Sequence, residues 1–275
     1  MNRLQSISRF FSFFCCMLAA SSLLAQSPKM ITNSIGIKLV LIPKGTFLMG
    51  SPIKEEGRSN EEVQHQVIIT EDYYLGVTEV TQGQYEKVIG SNPSEFQKQF
   101  MRKSVSSMHP VEQVSWEDAA EFCKTLSDLP EEKQAGRVYR LPTEAQWEYA
   151  CRAGSKTAFG FGESSKSLGD YAWFGEHIKG QTHPVGKKKA NAWGLYDMHG
   201  NVSEWCSDWY GDYPKGAVSD PFGPLKGSDR VNRGGSFGNI ATLCRSASRS
   251  GFDPSSYRDH DIGFRVALSF EGIPK

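Results

Sequence analysis

The segment Asp197-Met-His-Gly-Asn-Val-Ser-Glu204 sets two carboxylates around Gly200 and Asn201. A hard cation such as calcium takes roughly six or more oxygens from carboxylates and backbone carbonyls, and a tight glycine turn can aim both kinds at one point. The same residues also suit a plainer arrangement, in which Asp197 and Asn201 satisfy turn amides and Glu204 pairs with an arginine. Cysteine is the other reactive candidate. Cys244 precedes Arg245 and stands near Arg249, and a neighbouring guanidinium lowers a thiol's pKa towards the nucleophilic thiolate. The alternative for Cys244 is half of a disulfide.

Other chemistry has no visible apparatus. The six histidines, at 65, 109, 177, 183, 199 and 260, form no H-E-x-x-H pair and have no C-x-x-C partner, so zinc lacks support. His199, beside Gly200, reads as a hydrogen-bonding turn residue. There is no G-x-S-x-G elbow and no P-loop, and Gly160-Phe-Gly-Glu163 is too short for a phosphate cradle, which leaves acyl and phosphoryl transfer without machinery.

The elements that must hold these residues are only partly regular. Lys38–Pro43 and Thr46–Gly50 flank Lys44-Gly45 and read as a hairpin, and Val67–Thr70 and Tyr73–Val77 read as further strands. Thr81–Ile89 has helical spacing and stops at Gly90. Ser115 with Asp118, and Thr143 with Gln146, are capping boxes. The first opens a helix whose Trp116, Ala119, Ala120, Phe122, Cys123 and Leu126 share one face, and the second opens one carrying Trp147, Ala150 and Cys151. From Gly154 to Pro224 periodicity disappears, yet Trp173, Trp193, Trp205 and Trp209 lie inside this stretch and need burial, so it reads as ordered coil. Arg230–Phe237, Cys244–Arg249 and Ile262–Leu268 then alternate arginine with apolar residues in strand fashion.

Composition narrows the function. The 275 residues include 31 Lys or Arg and 31 Asp or Glu, a balance that excludes a non-specific polyanion binder, so nucleic acid is not an expected partner. Arg3 and Arg9 precede an uncharged run from Phe10 to Ala25, shorter than the ~20 apolar residues of a spanning helix. It reads as a signal peptide cleaved after Ala25, which implies a secreted or periplasmic protein. Cleavage removes two basic and no acidic residues, so the net charge becomes −2. Four of the six cysteines remain, Cys123, Cys151, Cys206 and Cys244, an even number in an oxidising compartment, and one or two disulfides are expected. Domain boundaries follow as a signal peptide over 1–25, a linker over 26–34, one domain over 35–270 and a tail over 271–275.

Seven segments occur in order: Ile42-Pro-Lys-Gly-Thr-Phe-Leu-Met-Gly50, Glu79-Val-Thr-Gln-Gly-Gln-Tyr85, His109-Pro-Val-Glu-Gln-Val-Ser-Trp116, Tyr139-Arg-Leu-Pro-Thr-Glu-Ala-Gln-Trp-Glu-Tyr149, Gly194–Trp205, Arg233-Gly-Gly-Ser236 and Gly263-Phe-Arg265. Together they resemble the formylglycine-generating enzyme family, the sulfatase-modifying factors, over nearly the whole chain after the signal peptide. The resemblance implies an α+β fold with little regular secondary structure, related to the C-type lectin fold and stabilised by calcium. One family calcium site maps onto Asp197, Gly200, Val202 and Glu204. The other begins with an Asn after a Tyr-Ala pair; here Tyr171-Ala172 is followed by Trp173, which offers no oxygen.

Catalysis is where the resemblance breaks. The family's oxidase uses two cysteines after Gly-Gly-Ser to hold copper(I), and soft thiolates suit that ion. Here the first position is Asn239. Counted forward from Ser236, Cys244 stands at the second; counted back from Arg245-Ser-Ala-Ser-Arg249, the loop is three residues shorter than the family's. Copper is therefore not expected, and Cys244 is the one weak catalytic candidate. The resemblance leads to a catalytically diverged binding or accessory module, whose partner is a protein or peptide (a sulfatase among the candidates) or a glycan, recognised near Trp193, Trp205, Trp209 and Ser236. The alternative is an oxidoreductase that converts a sulfatase cysteine to formylglycine.

Overall fold

The computed structural model describes residues 29–97, 99–100, 103–104, 107–176 and 180–270. The expected signal peptide, the tail over 271–275 and His177 lie outside them. Met30–Thr32, inside the expected linker, is an edge strand paired antiparallel with Lys38–Val40, so regular structure begins earlier than expected.

The largest sheet runs Met30–Thr32, Lys38–Ile42, Tyr73–Gly76, Ala267–Phe270, Arg137–Arg140, antiparallel throughout. Tyr73–Gly76 lies between strands from near the two ends of the chain, so the sheet closes the fold on itself. Alternate side chains leave opposite faces of a strand. Val40, Leu75 and Ala267 accordingly enter one core, with Trp147, Ala150 and Cys151 of the helix Glu144–Arg152. Leu39, Tyr74 and Leu268 enter a second, with Ala119, Phe122, Cys123 and Leu126 of the helix Trp116–Asp128. Both expected capping boxes form, and the helix Gln82–Ile89 ends at Gly90, whose φ of 85° takes the left-handed turn that ends a helix without a Cβ clash.

Three expectations about strands need correction: Cys244–Arg249 is not a strand, because a short helical turn ends at Cys244 and the strand begins only at Arg249. Lys38–Ile42 and Gly45–Met49 are both strands, yet they do not pair: the first belongs to the large sheet, and the second pairs with His65–Ile69 in a separate sheet that Val218–Ser219 joins in parallel. The Lys44-Gly45 turn redirects the chain between layers. The irregular stretch also hides a regular element. Ser203–Trp209, seven residues long, is one of the two inner strands of a four-stranded sheet, flanked by Arg230–Arg233 on one side and Ile262–Gly263 on the other. Its partners are remote in sequence, so no local periodicity announces it.

The tryptophans and arginines are used together. Trp205 is fully buried and donates to the carbonyl of Val114 at 3.0 Å. The guanidinium of Arg230 is sandwiched between Trp116 and Trp209, 3.9 and 3.6 Å from the ring centroids. Trp193 packs edge-on against Tyr149. These three tryptophans are spread through the packing, so they do not form the single recognition surface that the sequence suggested. Trp173 stacks on His183 at 3.8 Å and carries the Lys188 ammonium 3.8 Å above its ring.

Candidate functional site

The strand Arg230–Arg233 runs straight into Gly234-Gly235-Ser236, and the following loop to Leu243 folds against the segments 248–252 and 257–262. Between them lies a cleft of about 280 Å³, lined by Asn232, Asn239, Ser248, Phe252, Tyr257 and Asp261 among others. Buried charge pairs fix its walls. Arg233 donates to the carbonyls of Ala247 and Ser248 at 2.7 and 2.6 Å and pairs with Glu148. Arg249 forms a two-pronged pair with Glu144 at 2.7 and 2.8 Å. The acidic stretch after Gly50 is held the same way, since Arg245 reaches Glu62 at 2.8 and 2.9 Å and also pairs with Glu55.

The loop that carries Asn239 is closed by its own polar groups. Asn239 Oδ1 accepts from the amide of Ser236 at 3.0 Å, and the Ser236 hydroxyl donates to Asp261 at 2.7 Å. Burial raises the Asp261 carboxyl above its ordinary range. At one edge of the cleft Phe252 and Tyr257 stack 3.9 Å apart and nearly parallel. The Phe252 to Asp261 region was not singled out by sequence reasoning, because an aromatic pair and an aspartate five to nine residues apart carry no motif.

Cys244 does not reach the cleft as a reactive thiol. It is fully buried with Ala158, Phe159, Leu168 and Ala172, and burial pushes its pKa up to about 12. The expected help from Arg245 is absent because that guanidinium faces Glu55 and Glu62. Gly235 stands between the sulfur and the cleft: a Cβ built there would lie 2.9 Å from Cys244 Sγ. The disulfide expectation is corrected as well. Cys123, Cys151, Cys206 and Cys244 are all free and buried. Cys151 instead packs by His199, whose Nδ1 donates to the Cys244 carbonyl at 2.8 Å while Nε2 accepts from the Gly160 amide at 3.1 Å. Burial lowers the His199 pKa to about 4, so it is a neutral turn residue, as its position beside Gly200 suggested.

The turn from Asp197 to Glu204 adjoins the segment after Gly235, where the Phe237 amide donates to the Asn201 carbonyl at 2.8 Å. Asp197 and Asn201 take the left-handed conformation, with φ of 60° and 66°. Asn201 is buried and exchanges hydrogen bonds with the backbone of His183 at 2.9 and 3.2 Å. Gly200 is required: a Cβ there would stand 2.2 Å from the Trp173 carbonyl oxygen. Glu204 is fully buried and pairs with Arg265 through two bonds of 2.6 Å, while Trp147 Nε1 donates to it at 2.7 Å. Asp197 accepts from the Gly186 amide at 2.7 Å through Oδ2 and shares a side-chain hydrogen bond with Glu79.

Of the four residues that the resemblance assigns to calcium, Glu204 has already committed its oxygens to Arg265 and Trp147, and Asp197 is bonded to the Gly186 amide and to Glu79. No three His, Cys, Asp or Glu side chains converge on a metal-sized point among the described residues. Glu79 adjoins the same cluster, a residue that sequence reasoning used only as part of a motif. It is fully buried and shares a side-chain hydrogen bond with Asp197. Burial, then the Asp197 and Glu204 carboxylates, push its pKa well above the ordinary range, against the opposing effect of Arg265. Asp197 is raised to about 6, chiefly by burial.

With the fold and cleft in view, residues 26–270 match the sulfatase-modifying factor enzyme 1-like domain. The chain belongs to this family. A chaperone protein, LppX of Paenibacillus barcinonensis, is 29% identical to this member over 86% of its chain and 91% of the relative. The formylglycine-generating enzyme of Bos taurus is 30% identical over 84% of this chain and 74% of the relative. Among solved structures, the Treponema denticola variable protein 1 superposes with a TM-score of 0.75 at 30% identity, covering 88% of this chain and 99% of that one. The α+β fold with little regular secondary structure is the family's. Among the described residues no helix is long and apolar enough to cross a membrane.

Proposed function

We propose that this family member is an exported binding or accessory module that holds an extended segment of a protein partner in the cleft beside Ser236 and does not oxidise it. One observation carries this reading. Where the family's oxidase offers paired thiolates, this chain has Asn239 bonded to its own loop, and its nearest cysteine is a core thiol behind Gly235. Copper(I) favours two soft sulfur ligands, and an amide oxygen with a buried thiol does not substitute for them. The cleft suits a polypeptide: polar groups of Asn232, Ser248 and Asp261 can meet backbone amides, and the stacked Phe252 and Tyr257 offer a flat apolar edge. A relative named as a chaperone, matched over nearly its whole length, supports a role in engaging another protein.

Calcium belongs to the same proposal as a structural ion near Asp197, Gly200, Val202 and Glu204. When bound it would neutralise buried carboxylate charge and brace the turn. The decisive test is co-expression with a sulfatase peptide carrying Cys-x-Pro-x-Arg, read by mass spectrometry. The peptide cysteine is expected to keep its mass; conversion to the aldehyde overturns the proposal in favour of the oxidoreductase. Titration of the reduced protein with copper(I) gives an independent check, with no tight stoichiometric binding expected.

A further inference from the structure

A buried amide in the lining of the cleft has a donor with nothing to bond. Asn232 stands on the inner strand Arg230–Arg233, opposite Ser250 in one ladder and Trp205 in the other, so pairing on both sides fixes its backbone. It lines the cleft, is only 4% exposed, and its Nδ2 has no hydrogen-bond partner among the described residues. Polar groups around it are already engaged: Trp205 donates to the Val114 carbonyl, and Ser236 joins Asn239 to Asp261. Buried donors without acceptors are rare in native folds, and in the wall of a cleft such a donor is placed for a ligand's acceptor.

The charged groups of the lining are answered from within the protein. Arg233 and Arg249 pair with Glu148 and Glu144, Asp261 accepts from Ser236, and Asp259 accepts from the His260 amide at 2.7 Å. Beside Asn232 the lining offers apolar surface instead, from Leu243, which is 47% exposed, and from the Phe252–Tyr257 stack. A carboxamide sets one donor and one acceptor side by side, and a residue of an extended chain turns its own N–H and C=O to one side, as in an antiparallel ladder. We propose that Asn232 seats the partner by pairing with one such residue, Nδ2 donating to its carbonyl and Oδ1 accepting from its amide, and that an uncharged apolar side chain next to this contact is received between Leu243 and the aromatic stack. This rests on the cleft's reading as a polypeptide site and names the class of segment it takes. The paired donor and acceptor favour a polypeptide over a glycan, whose hydroxyls rotate and present no fixed pair.

The test uses the purified protein and capped heptapeptides, otherwise neutral, whose central residue is Leu, Phe, Asp or Lys, with binding read by fluorescence anisotropy. Wild type is expected to bind the Leu and Phe peptides at least about tenfold more tightly than the Asp and Lys peptides. Replacing the amide bonds of the Leu peptide by esters, one at a time, removes one N–H each, and at one position affinity should fall about tenfold. Asn232→Leu keeps the side chain's shape without its polar atoms; it should bind the unmodified peptide about tenfold more weakly and be indifferent to that ester. It should also melt at or above wild type, because an unbonded buried donor is gone, whereas loss of a merely structural residue would lower the melting point. If Asn232→Leu binds as wild type does, the role of Asn232 is overturned while the polypeptide reading stands. If the Asp or Lys peptides bind best, the apolar preference is overturned. If no peptide binds wild type, or chitotriose or maltotriose binds in their place, the polypeptide reading falls with it. Should Asn232→Leu not fold, Asn232→Asp, which keeps the shape and loses the donor, is expected to weaken the Leu peptide by a similar factor.

Discussion

Two buried charge clusters in this protein have opposite balances. Around the helix Glu144–Arg152, the acids Glu144, Glu148 and Asp208 face Arg152, Arg233 and Arg249. Acids and guanidiniums match in number, and the arginines also cap backbone carbonyls along the cleft wall. At the turn of Asp197, the acids Glu79, Asp197 and Glu204 meet one guanidinium, Arg265, which pairs with Glu204 while Glu79 and Asp197 bond to each other. The first cluster can hold the irregular chain by itself. The second carries more acids than guanidiniums, and burial answers the excess by raising the Glu79 carboxyl, which bonds to Asp197. Order in the long coil thus has more than one source: paired arginines hold the cleft walls, and a bonded pair of acids holds the turn at Asp197.

The sharpest way to break this contrast is to unbalance the balanced cluster. Arg233→Met leaves Glu148 with one guanidinium and frees the carbonyls of Ala247 and Ser248. Removing one partner of a buried pair typically costs about 3–5 kcal/mol. Denaturant unfolding should register a loss of that order, insensitive to calcium. A loss below about 1 kcal/mol would mean the cluster is not what holds the wall.

A smaller effect should appear with pH at Asp208. Burial, then Glu144, raises its carboxyl from 3.8 to about 7. Above about 7 it is ionised in both folded and unfolded chains, and the folded state bears the full penalty; below 3.8 it is protonated in both and bears none. Asp208→Asn should therefore gain stability relative to wild type as pH rises from about 4 to about 7. Unfolding midpoints measured across that window test the sign, and a flat difference would contradict it. His199 acts oppositely: with its pKa lowered from 6.5 to about 4, stability from keeping it neutral is present above 6.5 and lost as pH falls through that interval. His199→Gln should remove that part of the acid sensitivity.

The least consequence is expected from Cys244→Ala, a substitution in neither cluster. It removes a buried sulfur and should cost about 1 kcal/mol, with no effect on calcium or peptide binding. In wild type the four buried thiols should resist a thiol reagent until the protein unfolds.

Much of the architecture was legible along the chain. Capping boxes at Ser115 and Thr143 and the helical stop at Gly90 are local devices, complete within a few residues, and each formed where the residues indicated. His199 as a turn residue and an arginine partner for Glu204 were likewise readable from residue type. The hairpin at Lys44-Gly45 misled because a turn signal says that the chain bends, without saying which sheet receives the second strand. Ser203–Trp209 was missed because two of its buried positions are the acids Glu204 and Asp208, which erases the apolar–polar alternation that marks a half-buried strand. The cleft-side candidates failed for a related reason. A guanidinium next in sequence to a thiol need not be next to it in space, and Arg245 turns to Glu55 and Glu62 while Cys244 turns into the core.

By itself the sequence determined the family pattern, the α+β class and the departure at Asn239, since ordered motifs and the identity of a single residue are properties of the chain. Only the tertiary structure decided which carboxylates are paid for by arginine and which are not. Glu79 lies 118 positions from Asp197 and 186 from Arg265. Burial and the bond between Glu79 and Asp197 arise when those segments meet, and no spacing along the chain encodes them.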